Sequence, residues 1–187
     1  ILNEIPSIKK TLVFAYNKKE EMNIQNYINF DEVLDQTVAD ESFERFEFNH
    51  PIYILFSSGT TGKPKCITHG AGNVLIEHNK EFMLHCDIRD NEKLFYYTTT
   101  GWMMWNWLVG GLATGSSIFL FDGAPVYPKI DALLDYCQKK KINLFGVSAK
   151  YIDHLKNEKY NSKNLDLSSM KIITSTGSPL AEESFKY

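Results

Sequence analysis

The chain has 187 residues, of which 43% are hydrophobic, 23% charged and 13% aromatic, with a formal net charge of −3. That length supports a core without disulfides or a structural metal, and the composition lacks the low hydrophobicity and high net charge of a disordered segment. Apart from Arg45 and Arg89 the cations are all lysines and form no basic stripe, so nothing electrostatic points to nucleic acid.

Residues 1–49 are weakly patterned. Residues 10–16 (KTLVFAY) predict a strand and residues 30–34 a short helix capped near Asn29, followed by an acidic, aromatic loop or edge over 40–49. From His50 the pattern sharpens. Residues 52–56 form an apolar run bounded by Pro51 and a Gly/Ser/Thr cluster, which predicts a buried strand. Residues 70–86 predict a helix with Leu75, Phe82 and Met83 on one face and Glu77 and Lys80 off it. A strand over 94–97, an apolar helix over 102–113 and a strand over 117–121 follow. The helix expected over 130–140 turns Leu133, Leu134 and Cys137 inward and places Lys139, Lys140 and Lys141 at its negative end. A strand over 142–147, a helix over 149–156, a polar loop over 157–169 and a strand over 171–174 complete the order.

Strands alternating with helices in this way imply βαβ units. The expected fold class is α/β, a mostly parallel sheet with flanking helices. Residues 1–49 are expected to be an N-terminal segment of the same domain whose core spans 50–187. Cys66, Cys86 and Cys137 make an odd count without a Cys-x-x-Cys pair, which argues against a disulfide framework or zinc ribbon. No basic-then-apolar leader opens the sequence, so a cytoplasmic protein is expected. The uncharged run over 94–121 contains Thr98, Thr99, Thr100, Asn106, Ser116, Ser117 and four glycines. It lacks the unbroken apolar stretch of about 20 residues that a membrane span needs, and is expected to be buried sheet and helix instead. The chain opens on Ile1 and closes on a helical pattern without a stop signal, which suggests a piece of a longer protein.

The densest chemistry lies in Ser57, Ser58, Gly59, Thr60, Thr61, Gly62, Lys63, Pro64 and Lys65, expected between a strand and a helix. Glycines let backbone N–H groups approach an anion, hydroxyls donate further hydrogen bonds, and lysines bring charge, a combination suited to a polyphosphate. It is not a Walker A loop, because only two residues separate the glycines and Pro64 follows Lys63. A plain connecting loop would share the Ser, Thr and Gly but has no use for two lysines.

The order of these residues, Tyr53 through Lys65, resembles the signature loop of the adenylate-forming superfamily of acyl-CoA synthetases, luciferases and peptide-synthetase adenylation domains. The segment Thr176-Gly177-Ser178-Pro179-Leu180, after a strand, is similar to the family's Gly-x-Pro segment that lies against adenine. Gly101-Trp102 with Asp122-Gly123-Ala124-Pro125 is similar to the acetyl- and acetoacetyl-CoA synthetase branch. Within it, residues 97–107 (YTTTGWMMWNW) look most like the acetoacetyl-CoA synthetases. The resemblance runs from about His50 to Tyr187 and implies part of the large N-terminal domain of such an enzyme.

What the resemblance implies is an ATP-dependent acetoacetate–CoA ligase. The carboxylate attacks the α-phosphate of ATP, pyrophosphate leaves, and the coenzyme A thiol takes the acyl group. Ser57, Ser58, Gly59, Thr60, Thr61, Gly62, Lys63 and Lys65 would hold the phosphates. Gly177, Ser178 and Pro179 would meet adenine, and Trp102, Met104 and Asn106 would form the acyl pocket, with Asn106 or a threonine bonded to the keto oxygen. Magnesium is expected as a bridging cation on the phosphates. The expected partners are small molecules, with neither nucleic acid nor membrane among them.

The sequence also departs from the acetyl-activating relatives, which carry Thr where Met104 stands, His where Asn106 stands and Asn where Val126 stands, so their coenzyme A contacts do not carry over. The family's later motifs, including the ribose-binding Asp and the catalytic Lys of the C-terminal domain, are not in these residues, and the chain by itself is expected to be inactive. Another short-chain acyl-CoA synthetase, or a nucleotide-binding module without chemistry, stays open.

Among the remaining polar residues, His78, Glu81 and His85 do not match His-Glu-x-x-His and are expected to be a solvated face, not a metal site. Trp102, Trp105 and Trp107 read either as core or as pocket wall. His69 reads either as a phosphate contact or as a partly buried residue at the start of the helix. Cys66 has cationic neighbours but no partner base.

Overall fold

Short runs of β-branched and aromatic residues, each followed by a helix with one apolar face, determine the main sheet. The computed structural model describes residues 4–14, 27–36, 42–57 and 62–187. Two compact units divide the chain, Ile1–Arg45 and Phe46–Tyr187.

In the first unit, β1 (Thr11–Val13) pairs in parallel with β2 (Tyr27–Asn29). Helix α1 (Phe30–Gln36) starts where the Asn29 side chain accepts a hydrogen bond from the Asp31 amide at 3.0 Å, the capping expected of an Asn in that position. Tyr16, the end of the expected first strand, lies outside the described residues.

In the second unit, β3 (Pro51–Ser57) and β4 (Lys65–Gly70) form an antiparallel hairpin, with Ser57 opposite Lys65 and Tyr53 opposite His69. Two expectations change here. The Ser57-to-Lys65 segment joins strand to strand, not strand to helix. β3 is also not buried, since Ile52, Ile54 and Phe56 are 49%, 60% and 68% exposed. A five-residue apolar run reveals its extended conformation but not what covers it.

Helix α2 (Ala71–Lys80) continues into a π-helical turn, Glu81–His85. Only Phe82 of the expected apolar face is buried: Leu75 lies on α2, none of whose residues is buried, and Met83 is exposed in the wider turn, where the helical phase shifts.

The main sheet contains β5 (Lys93–Tyr96), β6 (Ser117–Phe119), β7 (Leu144–Ser148) and β8 (Ile172–Thr176), all parallel, in the order β6-β5-β7-β8. Helix α3 (Met103–Gly110) and a 3-10 turn, Gly111–Thr114, connect β5 to β6. Helix α4 (Ala132–Lys140) connects β6 to β7, and α5 (Ala149–Asn157) connects β7 to β8. A short α6 (Glu182–Lys186) follows β8.

Two cores flank this sheet. On one face Phe82, Ile88, Met104, Trp107 and Leu108 pack on Leu94, Tyr96 and Leu144. On the other, Leu133, Leu134, Cys137, Tyr151 and Leu155 pack on Phe95, Phe145 and Val147. The inward residues expected of α4 are therefore its buried ones. Burial pushes the Cys137 thiol up to about 12, which leaves it a neutral core side chain. Among the described residues no helix is long and apolar enough to cross a membrane.

Candidate functional site

The chain runs β5 to β6 in one direction across the sheet, then returns past β5 to place β7 and β8 on its other side. Right-handed crossovers in opposite directions put α3 and α5 on opposite faces and open a crevice at the carboxyl ends of β5 and β7. A cavity of about 690 Å³ lies there. Tyr96 and Tyr97 line it from the end of β5, Phe121, Asp122 and Gly123 from beyond β6, Ser148 from the end of β7, and Thr176 and Gly177 from the end of β8. Thr98 to Thr100, with Trp102 and Trp105, complete the wall.

Its hydroxyls are differently committed. Tyr97 donates to the Gly123 carbonyl at 3.0 Å, and Thr98 to the Thr99 carbonyl at 3.2 Å. Tyr96, only 5% exposed, shares a 3.0 Å hydrogen bond with the Thr176 hydroxyl, and either can be the donor. Burial raises the Tyr96 phenol above its ordinary value, so it keeps its proton at neutral pH.

Gly177 has φ +89°, a conformation open to glycine and strained for other residues, and a Cβ there would meet nothing within 4 Å. It turns the chain from this cavity toward a second one, of about 980 Å³, which Ser178 and Pro179 line. The second cavity lies between β8, α5 and α6 and is mostly apolar, walled by Tyr151, Leu155, Ile173 and Phe185. At its edge the buried Ser184 hydroxyl donates to Asp153 and accepts from Lys156 at 2.9 Å, which ties α6 to α5.

The residues singled out from sequence divide as follows. Ser58, Gly59, Thr60 and Thr61 lie outside the described residues. Ser57 ends β3, Lys65 begins β4, and Gly62 and Lys63 precede it, all but Ser57 exposed. Of the adenine-contact residues, Gly177 faces the smaller cavity, and Ser178 and Pro179 the larger. Of the acyl-pocket residues only Trp102 lines the smaller cavity. Met104 is 7% exposed and packs in the core with Trp107, while Asn106 is half-buried and not part of the lining. The three tryptophans thus split: Trp107 packs against Phe82 with tilted rings whose centroids are 4.1 Å apart, and Trp102 and Trp105 are wall.

His78 packs so closely on α3 that a Cβ at Gly110 would lie 2.0 Å from its Nδ1. Glu81 pairs with Lys80 at 2.9 Å, and His85 is 4.0 Å from Glu81. His69 is half-buried near the end of β4, and Cys66, near its start, is exposed. Sequence reasoning did not single out Tyr96 and Ser148, and met Thr176 only as the residue that opens the Gly177–Pro179 segment. Each is the last residue of a parallel strand, and that position is the signal that identifies them.

Residues 4–186 match the family described as AMP-binding enzyme. An acetoacetyl-coenzyme A synthetase of Rhizobium meliloti is 53% identical over 146 residues, covering 78% of this chain and 22% of that protein. An acetoacetyl-CoA synthetase of Gallus gallus is 40% identical over the whole of this chain and 29% of its own length. Among solved structures, an acetoacetyl-CoA synthetase from Streptomyces lividans superposes with a TM-score of 0.87 at 37% identity, covering 98% of this chain and 28% of that one. The chain therefore spans less than a third of each of these proteins.

Proposed function

Since the chain belongs to the family of AMP-binding enzymes, we propose that it forms part of an AMP-forming acid–thiol ligase that activates acetoacetate as an acyl-adenylate and passes it to coenzyme A. The observation that carries this reading is the cavity at the carboxyl ends of four parallel strands, which Gly177 and Trp102 both line. Small ligands of open α/β sheets bind in such crevices.

In this reading the hairpin tip holds the β- and γ-phosphates of ATP. A carboxylate is a poor electrophile, and its attack on the α-phosphate is limited by the charge that gathers on the departing pyrophosphate. Backbone amides, the hydroxyls of Ser57, Ser58, Thr60 and Thr61, and the ammonium groups of Lys63 and Lys65 would offset that charge without reorganising during the step. The β3–β4 ladder closes from Ser57 and Lys65 onward and gives this loop fixed ends. Adenine would rest on the strip Gly177–Pro179, and the acyl group would enter the smaller cavity beside Trp102.

Among the described residues, magnesium would be held through the ATP phosphates. Among the described residues no three carboxylate, imidazole or thiol groups converge as a cation site, and no step here is routed through the ion. When bound it would supply charge neutralisation at the β,γ-phosphates.

The test is ATP–pyrophosphate exchange by the whole protein that carries this chain, with Thr60→Ala and Lys65→Ala combined. The expected loss exceeds about tenfold, the scale of a lost charge-assisted contact. Exchange at the unsubstituted rate would refute the phosphate role of this loop.

A further inference from the structure

We propose that the hydroxyl pair Tyr96–Thr176 reads the carbonyl oxygen of the acyl substrate, and so selects a 3-oxo acid over the saturated acid of equal length. This rests on the acyl-activation reading above and adds the group that recognises the substrate.

Two hydroxyls carry two protons, and the 3.0 Å bond between Tyr96 and Thr176 uses one of them, whichever residue donates. The other proton is left for an acceptor. A carbonyl oxygen accepts it and a methylene does not. The other well-ordered hydroxyls of this cavity have no proton to offer, because Tyr97 and Thr98 donate theirs to backbone carbonyls. Thr99, Thr100 and Ser148 are exposed, as Thr176 is, but lack the bond to a buried tyrosine that fixes the Thr176 hydroxyl.

Tyr96 differs in being held. Its ring is 5% exposed, stands edge-on to Trp107 at 6.2 Å, and sits directly over Gly146 on the neighbouring strand. A ring that cannot move fixes the direction of its hydroxyl, and through it that of Thr176. The pair bridges the ends of β5 and β8 across β7, and it lines the same cavity as Trp102 and Trp105. A saturated chain in that place would bury the leftover proton without a partner. A site built to pair an oxygen penalises the analogue that lacks it more heavily than a missing methylene does.

The experiment compares kcat/KM for acetoacetate and butyrate in the whole protein that carries this chain, with Tyr96→Phe, Thr176→Val and both together. Removing both hydroxyls should lower the acetoacetate-to-butyrate ratio by about tenfold or more, the scale of one buried hydrogen bond. Each single variant should shift the ratio in the same direction by less, because the remaining hydroxyl loses the partner that orients it. The near-isosteric single changes keep the test decisive even if the double variant does not fold. A ratio that stays constant, whether both acids fall together or neither does, overturns the proposal while leaving acyl activation standing. An unsubstituted protein that activates neither acid overturns both.

Discussion

Gly146→Ala isolates the packing that holds this site in place. Gly146 lies on β7, paired with Tyr96 on β5 and Thr174 on β8. A Cβ there would be 1.9 Å from Tyr96 Cδ2 and 2.4 Å from Cε2. Ordinary carbon contacts are about 3.5–4.0 Å, so the ring would have to retreat by about 1.5–2 Å. Trp107 stands behind it, and withdrawal breaks the bond to Thr176. Overpacking costs about 1–3 kcal/mol and the lost hydrogen bond about 0.5–1.5, which together predict a destabilisation of about 2–4 kcal/mol. Urea denaturation of the 187-residue chain measures this as a lower midpoint at unchanged slope. Gly101→Ala is the control, because its Cβ would meet nothing within 4 Å, and it should stay within about 0.5 kcal/mol of the parent. In a Tyr96→Leu background most of the Gly146→Ala cost should vanish, since the clashing ring is gone. A cost below about 0.5 kcal/mol, or one unchanged by Tyr96→Leu, would refute the reasoning.

Burial against α3 lowers the His78 pKa despite the nearby Glu77 and Glu81. The unfolded chain therefore takes up this proton first, so the contribution is intact above about pH 6.5 and is lost as pH falls below it. His78→Gln should flatten the slope of unfolding free energy against pH between about 5 and 7, and an unchanged slope would count against it. The 187-residue chain, incubated with ATP, magnesium, acetoacetate and coenzyme A, should form no thioester above background. It spans 22–29% of the length of its relatives, and positioning both reactants is worth about 7–11 kcal/mol of barrier. Turnover by the purified chain would contradict that.

Much of the α/β core was legible because its strands are short apolar runs separated by helices with one apolar face. Leu133, Leu134 and Cys137 recur at helical spacing, and all three are buried. β4 was not legible. Its sequence, KCITHG, has no alternating apolar pattern, and it is a strand because β3 pairs with it. The burial of β3 was misjudged because a run of apolar residues shows strand propensity without showing its neighbours. Met83 was misplaced because the π-turn at Glu81–His85 adds a residue to the helical repeat that spacing arguments assume, and Leu75 because spacing does not show that α2 has no buried residue. At the site, Trp102 was recognisable and Met104 was not distinguishable from it. Trp102 is the extended residue before α3 and Met104 the second residue of that helix, and only the packing of Met104 with Trp107 and Leu108 shows that it turns into the core. Tyr96 and Thr176 are 80 residues apart in sequence and meet only through strand pairing.

The central claim, activation of a short 3-oxo acid at the ends of these strands, is tested most directly by acid-dependent ATP–pyrophosphate exchange in the whole protein that carries this chain. Acetoacetate, acetate, butyrate and a twelve-carbon acid are compared at equal concentration. Exchange should require an added acid and be highest with acetoacetate, with butyrate and acetate behind and the long acid near background. Exchange fastest with butyrate or with the long acid, or no acid-dependent exchange at all, would contradict it.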